Sequence, residues 1–390
     1  MQYQREKEQL KRMLGSFYDT LCDYECILAG GAITSLFTRK DINDFDIYFR
    51  SKELLADFLY GEMERRWVTA HTDKSILFSV EGKPIQAIAF RYFADAYEIF
   101  ESFDFTVCMG AFDFKTEEFI FHPDFFTHNA QRILIFNENT AFPIISGLRV
   151  DKYKQKGYYI SKTEFIRLLL TVNNQKIEDY DTLVRQIGGM YGERYDNWIT
   201  RRDEFNMSAV ISDLKAVEPG AEQTANYEID DWDEFVLNIT GVRQKAVKHK
   251  EATFIIRNGC FDYYHGDETK VDLVDVSDIV KMPLYFYKYV KRSDDGRYYS
   301  HYDPNFEYKI GDQVKAKNPC GLYCVHKDDL AACSYSNEKD TVPIRLRVDS
   351  LDDIISFCNI FDGTVQVKQA FFEEVLPEPC NSKSRSPFIG

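Results

Sequence analysis

Two acidic residues separated by one position are the feature of this chain that most directly indicates catalysis. Asp44 and Asp46 flank Phe45, and the segment continues through Ile47 and Phe49 as an apolar run typical of a strand. Because strand side chains alternate between two faces, both carboxylates are expected on one face, about 6–7 Å apart. Carboxylates at that spacing can bind two Mg²⁺ ions roughly 3.5–4 Å from each other, as in two-metal phosphoryl transfer.

A pair of glycines precedes these carboxylates at a position that suits phosphate binding. Gly30 and Gly31 follow the short apolar run 26–29 and open a predicted helix that extends to Leu36. Without side chains at this point, backbone N–H groups and the helix N-terminus can approach a phosphate closely. The Ser35 hydroxyl can join them. The sequence therefore predicts that Gly30, Gly31 and Ser35 bind the phosphates of a nucleoside triphosphate.

Each of these features is common by itself, and only their combination is informative. Paired glycines usually form a turn, and two aspartates spaced by one residue often lie on a protein surface. A glycine pair that closes one strand, followed at the distance of one helix by two aspartates inside an apolar strand, is far more restrictive. Aspartate is a poor β former and the two charges repel each other, so the arrangement favours a bound cation.

The elements around these residues indicate an α/β fold with a mixed sheet. Apolar residues at helical spacing predict a helix over 1–22, and another is predicted around 52–65. Strands are predicted over 26–29, 44–49, 75–80, 84–90, 105–114 and 118–121. Residues 1–148 are therefore predicted to form one catalytic head.

The remainder of the chain is predicted to form further regions. Residues 149–252 have a helical pattern, with an acidic stretch over 217–235 that is typical of an exposed linker. Residues 253–376 are rich in aromatic and β-branched residues between turns, which predicts a separate β-rich C-terminal domain of unknown role. A flexible tail is predicted over 377–390. Within the C-terminal domain, the aromatic run 285–289 is typical of a core strand, with a stacking platform for unpaired bases as the alternative.

Three segments of the head stand in the order and spacing of a known set of motifs. They are Gly30-Gly31 through Asp44-Phe45-Asp46-Ile47, then Asp104-Phe105-Thr106-Val107-Cys108 through Asp113, then Leu148-Arg149-Val150-Asp151-Lys152-Tyr153. Over about residues 25–165 they resemble the bacterial-type poly(A) polymerase and CCA-adding tRNA nucleotidyltransferase family, within the polymerase beta superfamily. The resemblance implies a nucleotidyltransferase that uses two Mg²⁺ ions, with Asp104 as a ribose contact or a metal ligand. It also implies that Arg149 and Lys152 face the phosphates or the base of the nucleotide, with an exposed helix surface as the alternative for both.

The chain departs from the pattern of that family at several positions. Ser102 and Phe103 stand where the family has two arginines, and Cys108 stands where it has asparagine. Gln86 occupies the place of a third acidic residue. These departures weaken the expected contacts to ribose and phosphate. In addition, no segment resembles the Glu-Asp-x-x-Arg motif that selects CTP and ATP.

Composition and charge limit the partners that are expected. The 390-residue chain carries a net charge of −15, and it has no apolar run near the roughly 18 residues that a membrane helix needs. Its charged N-terminus lacks the apolar core of a signal peptide, so an intracellular, cytoplasmic protein with no membrane partner is expected. An acidic protein does not bind nucleic acid indiscriminately, yet Arg149, Lys152 and Lys156 form a local basic run that predicts a path for RNA.

Three functions are compatible with these observations. Transfer of a nucleoside monophosphate to an RNA 3′ end, such as that of tRNA, is favoured by the basic run. Transfer to a protein or small-molecule acceptor, as in toxin-like members of the superfamily, is favoured by the net acidity. A catalytically weak head kept as a nucleic-acid or protein-binding module is favoured by Gln86, although the presence of both Asp44 and Asp46 opposes it.

Overall fold

A computed structural model gives a mixed α/β protein with several sheets. Its described residues are 3–63, 68–188, 198–217, 229–257, 260–327, 329–330, 333, 338–358 and 364–377. Most of the predicted acidic linker, and the predicted tail from residue 378 onward, lie outside these residues. The chain divides into two compact units, Met1–Val242 and Arg243–Gly390.

The first unit alternates helices with the strands of one large sheet. Its elements are α1 (Gln4–Leu14), α2 (Phe17–Asp23), β1 (Ile27–Ala29), α3 (Gly31–Thr38), β2 (Phe45–Tyr48), α4 (Lys52–Gly61), β3 (Val68–His71), β4 (Ser75–Val80), β5 (Lys83–Ile88), α5 (Ala96–Ser102), β6 (Gly110–Asp113), β7 (Glu118–Phe121), α6 (Phe125–Gln131), β8 (Ile133–Leu134), α7 (Pro143–Gln155), β9 (Tyr159–Ile160), α8 (Lys162–Asn173), α9 (Tyr180–Ile187), α10 (Met207–Ala216) and α11 (Trp232–Thr240). Among the described residues, seven strands form a sheet in the order β3-β4-β5-β2-β1-β6-β7. β2 runs parallel to β5 and antiparallel to β1, so the sheet is mixed.

The central strands separate two apolar clusters, one on each face of the sheet. Leu28 and Ile47 pair across β1 and β2 and belong to the cluster that α1 to α4 cover. Ile27 and Tyr48, their neighbours on the opposite face, belong to the cluster that α5 and α7 cover. Because strand side chains alternate, Asp46 lies on this second face, the one beneath α7.

Several predicted elements have different limits in the structure. The helix predicted over 1–22 is two helices, α1 and α2, because Gly15 between them has a φ of +60° that a continuing helix does not allow. The strand predicted over 105–114 is shortened to β6, since Thr106–Cys108 form a 3₁₀ turn whose first N–H donates to the Ile135 carbonyl. Asp44, predicted as the first residue of a strand, lies just before β2.

The second unit consists mostly of strands. Its elements are β10 (Lys245–His249), β11 (Ala252–Arg257), β12 (Cys260–Tyr263), β13 (Asp272–Asp275), α12 (Val276–Ile279), β14 (Leu284–Arg292), β15 (Tyr298–Tyr299), β16 (Glu307–Tyr308), β17 (Gln313–Lys315), β18 (Leu322–Cys324), β19 (Thr341–Val348), β20 (Ile354–Ser356), β21 (Val365–Val367) and β22 (Gln369–Val375). In the described part, they form sheets of the orders β12-β11-β10-β13, β16-β15-β14-β19-β22-β17 and β18-β21-β20. The region predicted as helical over 149–252 thus ends in β10 and the start of β11, which belong to this unit.

The aromatic run 285–289 lies in β14, whose long pairing with β19 places it inside its sheet. Phe286 is fully buried, and Tyr287 and Tyr289 are nearly so. The run is therefore a core strand, as the more common interpretation predicted, and these buried rings do not form a stacking platform. Among the described residues, none of the helices has the length and apolar character needed to cross a membrane.

An ion pair at the end of β2 joins three strands of the first sheet. Arg50 donates from Nη2 to both carboxylate oxygens of Asp113, the last residue of β6, at 2.7 and 2.8 Å. Its Nε donates to the Glu25 carbonyl, before β1, at 3.0 Å. The side chains of Arg50 and Asp113 are only 16% and 8% exposed. The pair is therefore bidentate and largely shielded from water, which strengthens it.

Replacement of Arg50 by methionine should lower the free energy of unfolding of the first unit by about 3 kcal/mol or more, because Asp113 would be left as a buried charge without its partner. Urea unfolding followed by far-UV circular dichroism measures this. The matched control is Lys115→Met, which removes the exposed ion pair between Lys115 and Glu25 and should cost less than about 1 kcal/mol. Equal losses for the two variants would contradict the proposed role of Arg50.

Candidate active site

The two predicted catalytic carboxylates lie at the start of the central strand β2. Asp44 is exposed, whereas Asp46 is half-buried on the sheet face beneath α7. Burial, and then the charge of Asp44, raise the pKa of Asp46 to about 7. Two negative charges at this place are therefore unfavourable without a compensating cation.

The glycine pair lies directly beside Asp46. Gly30 has a φ of +90°, which favours glycine, and its N–H donates to the Gly110 carbonyl at 3.0 Å. A Cβ atom at Gly30 would lie 3.7 Å from Oδ2 of Asp46 and 3.6 Å from the Phe103 ring. At Gly31, the first residue of α3, a Cβ atom would meet no described atom within 4 Å. The backbone of Gly30 is thus close to the carboxylate, and Gly31 borders open space.

The N-terminus of α3 has the properties of an anion site. Within the described residues, no side chain caps this helix. The first N–H groups of a helix have no partner inside it, and they carry the positive end of the helix dipole. Ser35, half-buried, lies one turn after Gly31 on the same side of α3. The structure therefore brings Gly30, Gly31 and Ser35 to one end of the carboxylate pair.

Helix α7 adds basic residues to the same site. Arg149, Lys152 and Lys156 follow one another at i, i+3 and i+7, so they lie along one side of the helix. The positive charges of Arg149 and Lys152 lower the pKa of Asp46, against burial and the charge of Asp44. Lys152 and Lys156 are exposed. The predicted nucleotide-binding residues Arg149 and Lys152 are thus within electrostatic reach of the carboxylates.

Asp104 is fully buried, and it holds Arg149 in place. Its Oδ2 accepts a hydrogen bond from Nη1 of Arg149 at 2.8 Å, and the Arg149 side chain is only 11% exposed. Burial raises the pKa of Asp104, and the adjacent guanidinium opposes that shift. Because Asp104 has no exposed surface, its predicted direct roles as a ribose contact or a metal ligand would require the residues that cover it to move.

Two residues of the motif segments to which the sequence assigned no role complete the surroundings of Arg149. Its Nη2 donates to the Tyr153 hydroxyl at 3.2 Å and lies 3.8 Å from Sγ of Cys108, which in turn hydrogen-bonds to Tyr153. Tyr153 follows Arg149 by four residues, and that spacing in a helix was the available signal. Cys108 was noted only as a departure from a motif.

Gln86 lies next to Asp46, in the register that the parallel pairing of β2 and β5 sets. Its Nε2 donates to Oγ of Ser75 at 2.8 Å. Because the amide is neutral, this position supplies no third negative charge. Within the described residues, no group of three or more histidine, cysteine, aspartate or glutamate side chains is arranged to hold a metal ion. A magnesium site built here would therefore combine two carboxylates with oxygens of a substrate, as Mg²⁺ commonly does.

One known protein is similar along nearly the whole chain. Gabija anti-defense 2 of Bacillus phage SPbetaL7 is 40% identical over 376 residues, which are 90% of this chain and 91% of the relative. The model of the Gabija anti-defense 2 (Gad2) family also matches residues 4–132. The chain belongs to the Gabija anti-defense 2 family. Since the identity covers so much of the chain, the Gad2 family includes the second unit as well as the first.

Solved structures are similar to Gad2 only at a low level. The Thermotoga maritima CCA-adding enzyme complexed with tRNA is 14% identical, with 53% of this chain and 50% of that chain covered and a TM-score of 0.33. The Bacillus stearothermophilus CCA-adding enzyme in complex with CTP is 15% identical, with 47% of this chain and 49% of that chain covered and a TM-score of 0.33. The chain spans about half the length of these solved structures. A similarity this low assigns no activity to this chain.

The assignment to the poly(A) polymerase and CCA-adding family is therefore wrong. It depended on short motifs within residues 25–165, whereas the identity to the phage Gad2 protein extends over 376 residues. Membership in the Gad2 family gives no support to a role in tRNA processing. The catalytic, nucleotide-binding and metal-binding roles predicted for individual residues stay predictions.

In the metal-free protein, Asp44→Asn should lower the pKa of Asp46 below about 7, because it removes the second of the two causes that raise it. Carbon-13 NMR of the aspartate carboxyl groups, followed against pH, measures this. The direction in which pH changes the stability follows from this pKa. An aspartate with a pKa of about 3.9 when unfolded and about 7 when folded costs stability as pH rises through that range. Asp46→Asn should therefore stabilise the metal-free fold at pH 8 by on the order of 1–3 kcal/mol.

The control is Asp41→Asn, which changes another exposed aspartate three positions before Asp44. It should leave the titration of Asp46 unchanged. If Asp46 titrates near pH 4 in the unaltered protein, or if Asp44→Asn does not move its pKa, the two carboxylates are not coupled in the way described.

Proposed function

We propose that the protein transfers a nucleoside monophosphate from a nucleoside triphosphate to an acceptor, using a nucleotidyltransferase-like head. We propose further that this transfer counteracts the Gabija defence. One observation supports the first part. Asp44 and Asp46 lie close to the N-terminus of α3, which begins with glycine, and to the basic side of α7. The name of the phage relative, Gabija anti-defense 2, supports the second part.

The triphosphate is bound at the N-terminus of α3. Free backbone N–H groups and the positive end of a helix dipole suit a phosphate group. Gly31 leaves space for that group, and the Ser35 hydroxyl lies one turn further along the same side. Lys152, exposed and near Asp46, neutralises part of the phosphate charge.

Asp44 and Asp46 fit Mg²⁺, because they offer hard oxygen ligands whose mutual repulsion a divalent cation relieves. Bound there with the triphosphate, two Mg²⁺ ions would activate the acceptor oxygen and offset charge on the departing pyrophosphate. With only two protein carboxylates, the phosphates themselves complete the set of ligands. Mg²⁺ and the nucleotide are therefore expected to bind together.

The reaction forms a bond between an acceptor oxygen and the α-phosphorus, and it breaks the bond between the α- and β-phosphates. The acceptor hydroxyl gives its proton to the carboxylate pair, and pyrophosphate leaves. Arg149, held by Asp104 and Tyr153, keeps a fixed positive charge beside the pair. Because this charge is already oriented, no rearrangement is needed as negative charge develops on the phosphate.

A component of the Gabija defence is the acceptor that the family name favours. An RNA 3′ end is the second candidate, and Lys152 and Lys156 support it. Both lysines are exposed on α7 near the carboxylates, where they can contact phosphates of a strand. Arg149, predicted as a third such contact, is instead largely buried and paired with Asp104.

Incubation of the full-length protein with each α-labelled NTP, Mg²⁺ and purified Gabija components should label one of those components. The double variant Asp44→Asn, Asp46→Asn should reduce labelling at least about 100-fold, because it removes the metal ligands. Gel electrophoresis with autoradiography detects the label. The same variant should lose the ability to counteract the Gabija defence in infected cells. The Asp41→Asn variant is the control, and it should keep both activities.

The acceptor arm of this experiment separates the candidates. Label on a Gabija component that resists ribonuclease but not protease supports the first. Label on added total RNA, reduced by a Lys152→Ala, Lys156→Ala variant that still binds NTP, supports an RNA end. Absence of labelling with every NTP, together with full anti-defence activity of the double aspartate variant, would show that the head acts as a binding module and not as an enzyme.

Gly31→Val should abolish binding of the triphosphate while leaving the fold intact. The branched side chain would fill the space in front of α3, whereas the backbone of Gly31 is helical and tolerates it. Isothermal titration calorimetry with a non-hydrolysable NTP analogue and Mg²⁺ measures the affinity. The control is Gly82→Asn, in the β4–β5 turn, where an added Cβ also meets no described atom within 4 Å and where asparagine tolerates the φ of +76°. Unchanged affinity in Gly31→Val would exclude this end of α3 as the phosphate site.

A further inference from the structure

A cavity of about 430 Å³ lies within the second unit, apart from every residue of the candidate active site. It is bordered by β14 and β18 and by residues on either side of β16. Its volume falls in the range of about 300–1,000 Å³ that is typical of small-molecule sites. Four of its lining residues are aromatic, namely Tyr302, Phe306, Tyr308 and Tyr323, and two are lysines, Lys288 and Lys317.

Lys288 lies in β14, an inner strand of its sheet. Its ammonium donates to the Tyr323 carbonyl at 2.9 Å and lies 5.8 Å from the centre of the Tyr302 ring. An ammonium has three N–H donors, and in the described part of the chain this carbonyl is the acceptor recorded for it. Burial lowers the pKa of Lys288, so the charged form lacks solvation. An anion in the cavity would supply both the missing charge and the missing acceptors.

Lys317 provides a second positive charge. Its ammonium lies 5.0 Å from the centre of the Phe306 ring, and it donates to Asp303 at 3.0 Å. The charged residues that line the cavity are therefore two lysines and one aspartate, and the local balance is positive in a chain whose net charge is −15. This balance favours an anionic ligand.

One of the aromatic residues, Tyr302, is placed where folding alone does not explain it. Tyr302 is 71% exposed, although a ring of this size normally contributes stability by being buried. The Lys317–Asp303 pair is also well exposed, and such pairs contribute little to stability. By contrast, Tyr308 beneath them is fully buried and packs against Phe306 at 5.1 Å between ring centres. Exposed rings next to cations, above a firm apolar floor, form a surface on which a planar group can stack.

We propose that this cavity binds a nucleotide, with the base against Tyr302 and Phe306 and the phosphate at Lys288. The aromatic residues of the lining suit a planar group, and the lysines suit a negative charge. A nucleotide combines a planar base with a charged phosphate. The same chemistry is offered by a free nucleoside monophosphate and by the terminal nucleotide of a single strand. The site is separate from the α3 phosphate site, so it does not depend on the proposed transfer reaction.

The test uses the full-length chain carrying Asp44→Asn and Asp46→Asn, in EDTA, so that the head does not bind nucleotide with metal. Isothermal titration calorimetry with AMP, CMP, GMP and UMP should show binding of at least one of them at one site per chain. Lys288→Met should weaken that binding about tenfold, because a hydrogen bond to a charged group is lost. Tyr302→Ala should weaken it by a similar factor through loss of stacking.

Matched controls separate a binding role from a structural one. Lys288→Arg should retain binding, whereas Lys315→Met, on exposed β17, and Tyr159→Ala, an exposed tyrosine of the first unit, should leave it unchanged. Ribose 5-phosphate should bind at least about tenfold more weakly than the best nucleotide, because it has no base. A short single-stranded RNA that binds more tightly than the free nucleotide identifies a strand end as the source, and equal affinity identifies the free nucleotide.

The proposal is overturned if none of the four nucleotides binds the double aspartate variant at millimolar concentration. It is also overturned if ribose 5-phosphate binds as tightly as the nucleotides, or if Tyr302→Ala and Lys288→Met both leave the affinity unchanged. If the transfer reaction fails while this cavity still binds nucleotide in EDTA, only the proposal for the head is contradicted. The two proposals can thus fail separately.

Discussion

The burial of the Asp46 carboxylate beside Asp44 is the constraint around which the candidate site is arranged. A central strand of an α/β sheet normally carries apolar side chains on both faces, and β2 does so except at Asp46. Burial, and then the charge of Asp44, raise the pKa of Asp46 to about 7. Two neighbouring elements border this carboxylate. The backbone of Gly30, with a φ of +90°, lies close to it, and α7 places its basic side over the same face.

Arg149 brings a positive charge close to Asp46, and a buried network of polar contacts holds it there. A guanidinium that is largely removed from water is unfavourable unless its donors are satisfied by acceptors in fixed positions. Its two terminal nitrogens have acceptors in Asp104, Tyr153 and Cys108, and Asp104 is itself fully buried. The positive charge near Asp46 is thereby fixed by the core cluster between α5 and α7. Lys152 and Lys156, which have no such network among the described residues, remain on the exposed side of the helix and can meet a substrate.

The sequence predicted the local geometry of the head well wherever backbone rules decide it. Two aspartates at spacing two, and a glycine pair between a strand and a helix, determine which groups can meet, and the structure places Gly30 beside Asp46. What the sequence did not predict are contacts between segments that are distant along the chain. The pairing of Asp104 with Arg149 depends on how α7 packs on the sheet, and neither residue alone indicates it. For the same reason, Asp104 was predicted to face a substrate.

The predicted bounds of two elements were wrong because a local change in the backbone interrupts each of them. Gly15 divides the first helix, and the turn at Thr106–Cys108 shortens the strand that follows, although both segments keep the apolar pattern of one continuous element. Tyr302 gave no signal, and the half-buried Lys288 was noted only as part of the run 285–289, since aromatic and basic residues are frequent in β-rich chains. Only the fold brings them to the same cavity.

The family assignment and the motif analysis answer different questions, which explains how one can be wrong while the other remains useful. A glycine pair beside two carboxylates is a solution to a local problem, the approach of a phosphate to negative side chains, and about twenty residues are enough to state it. Family membership is judged from the whole chain, and here 40% identity over 376 residues indicates the Gad2 family. The motif therefore supports a chemistry and the family supports a biological role. The proposal that an anti-defence role is carried out by nucleotide transfer combines the two, and the loss of both activities in one variant is the observation that would join them.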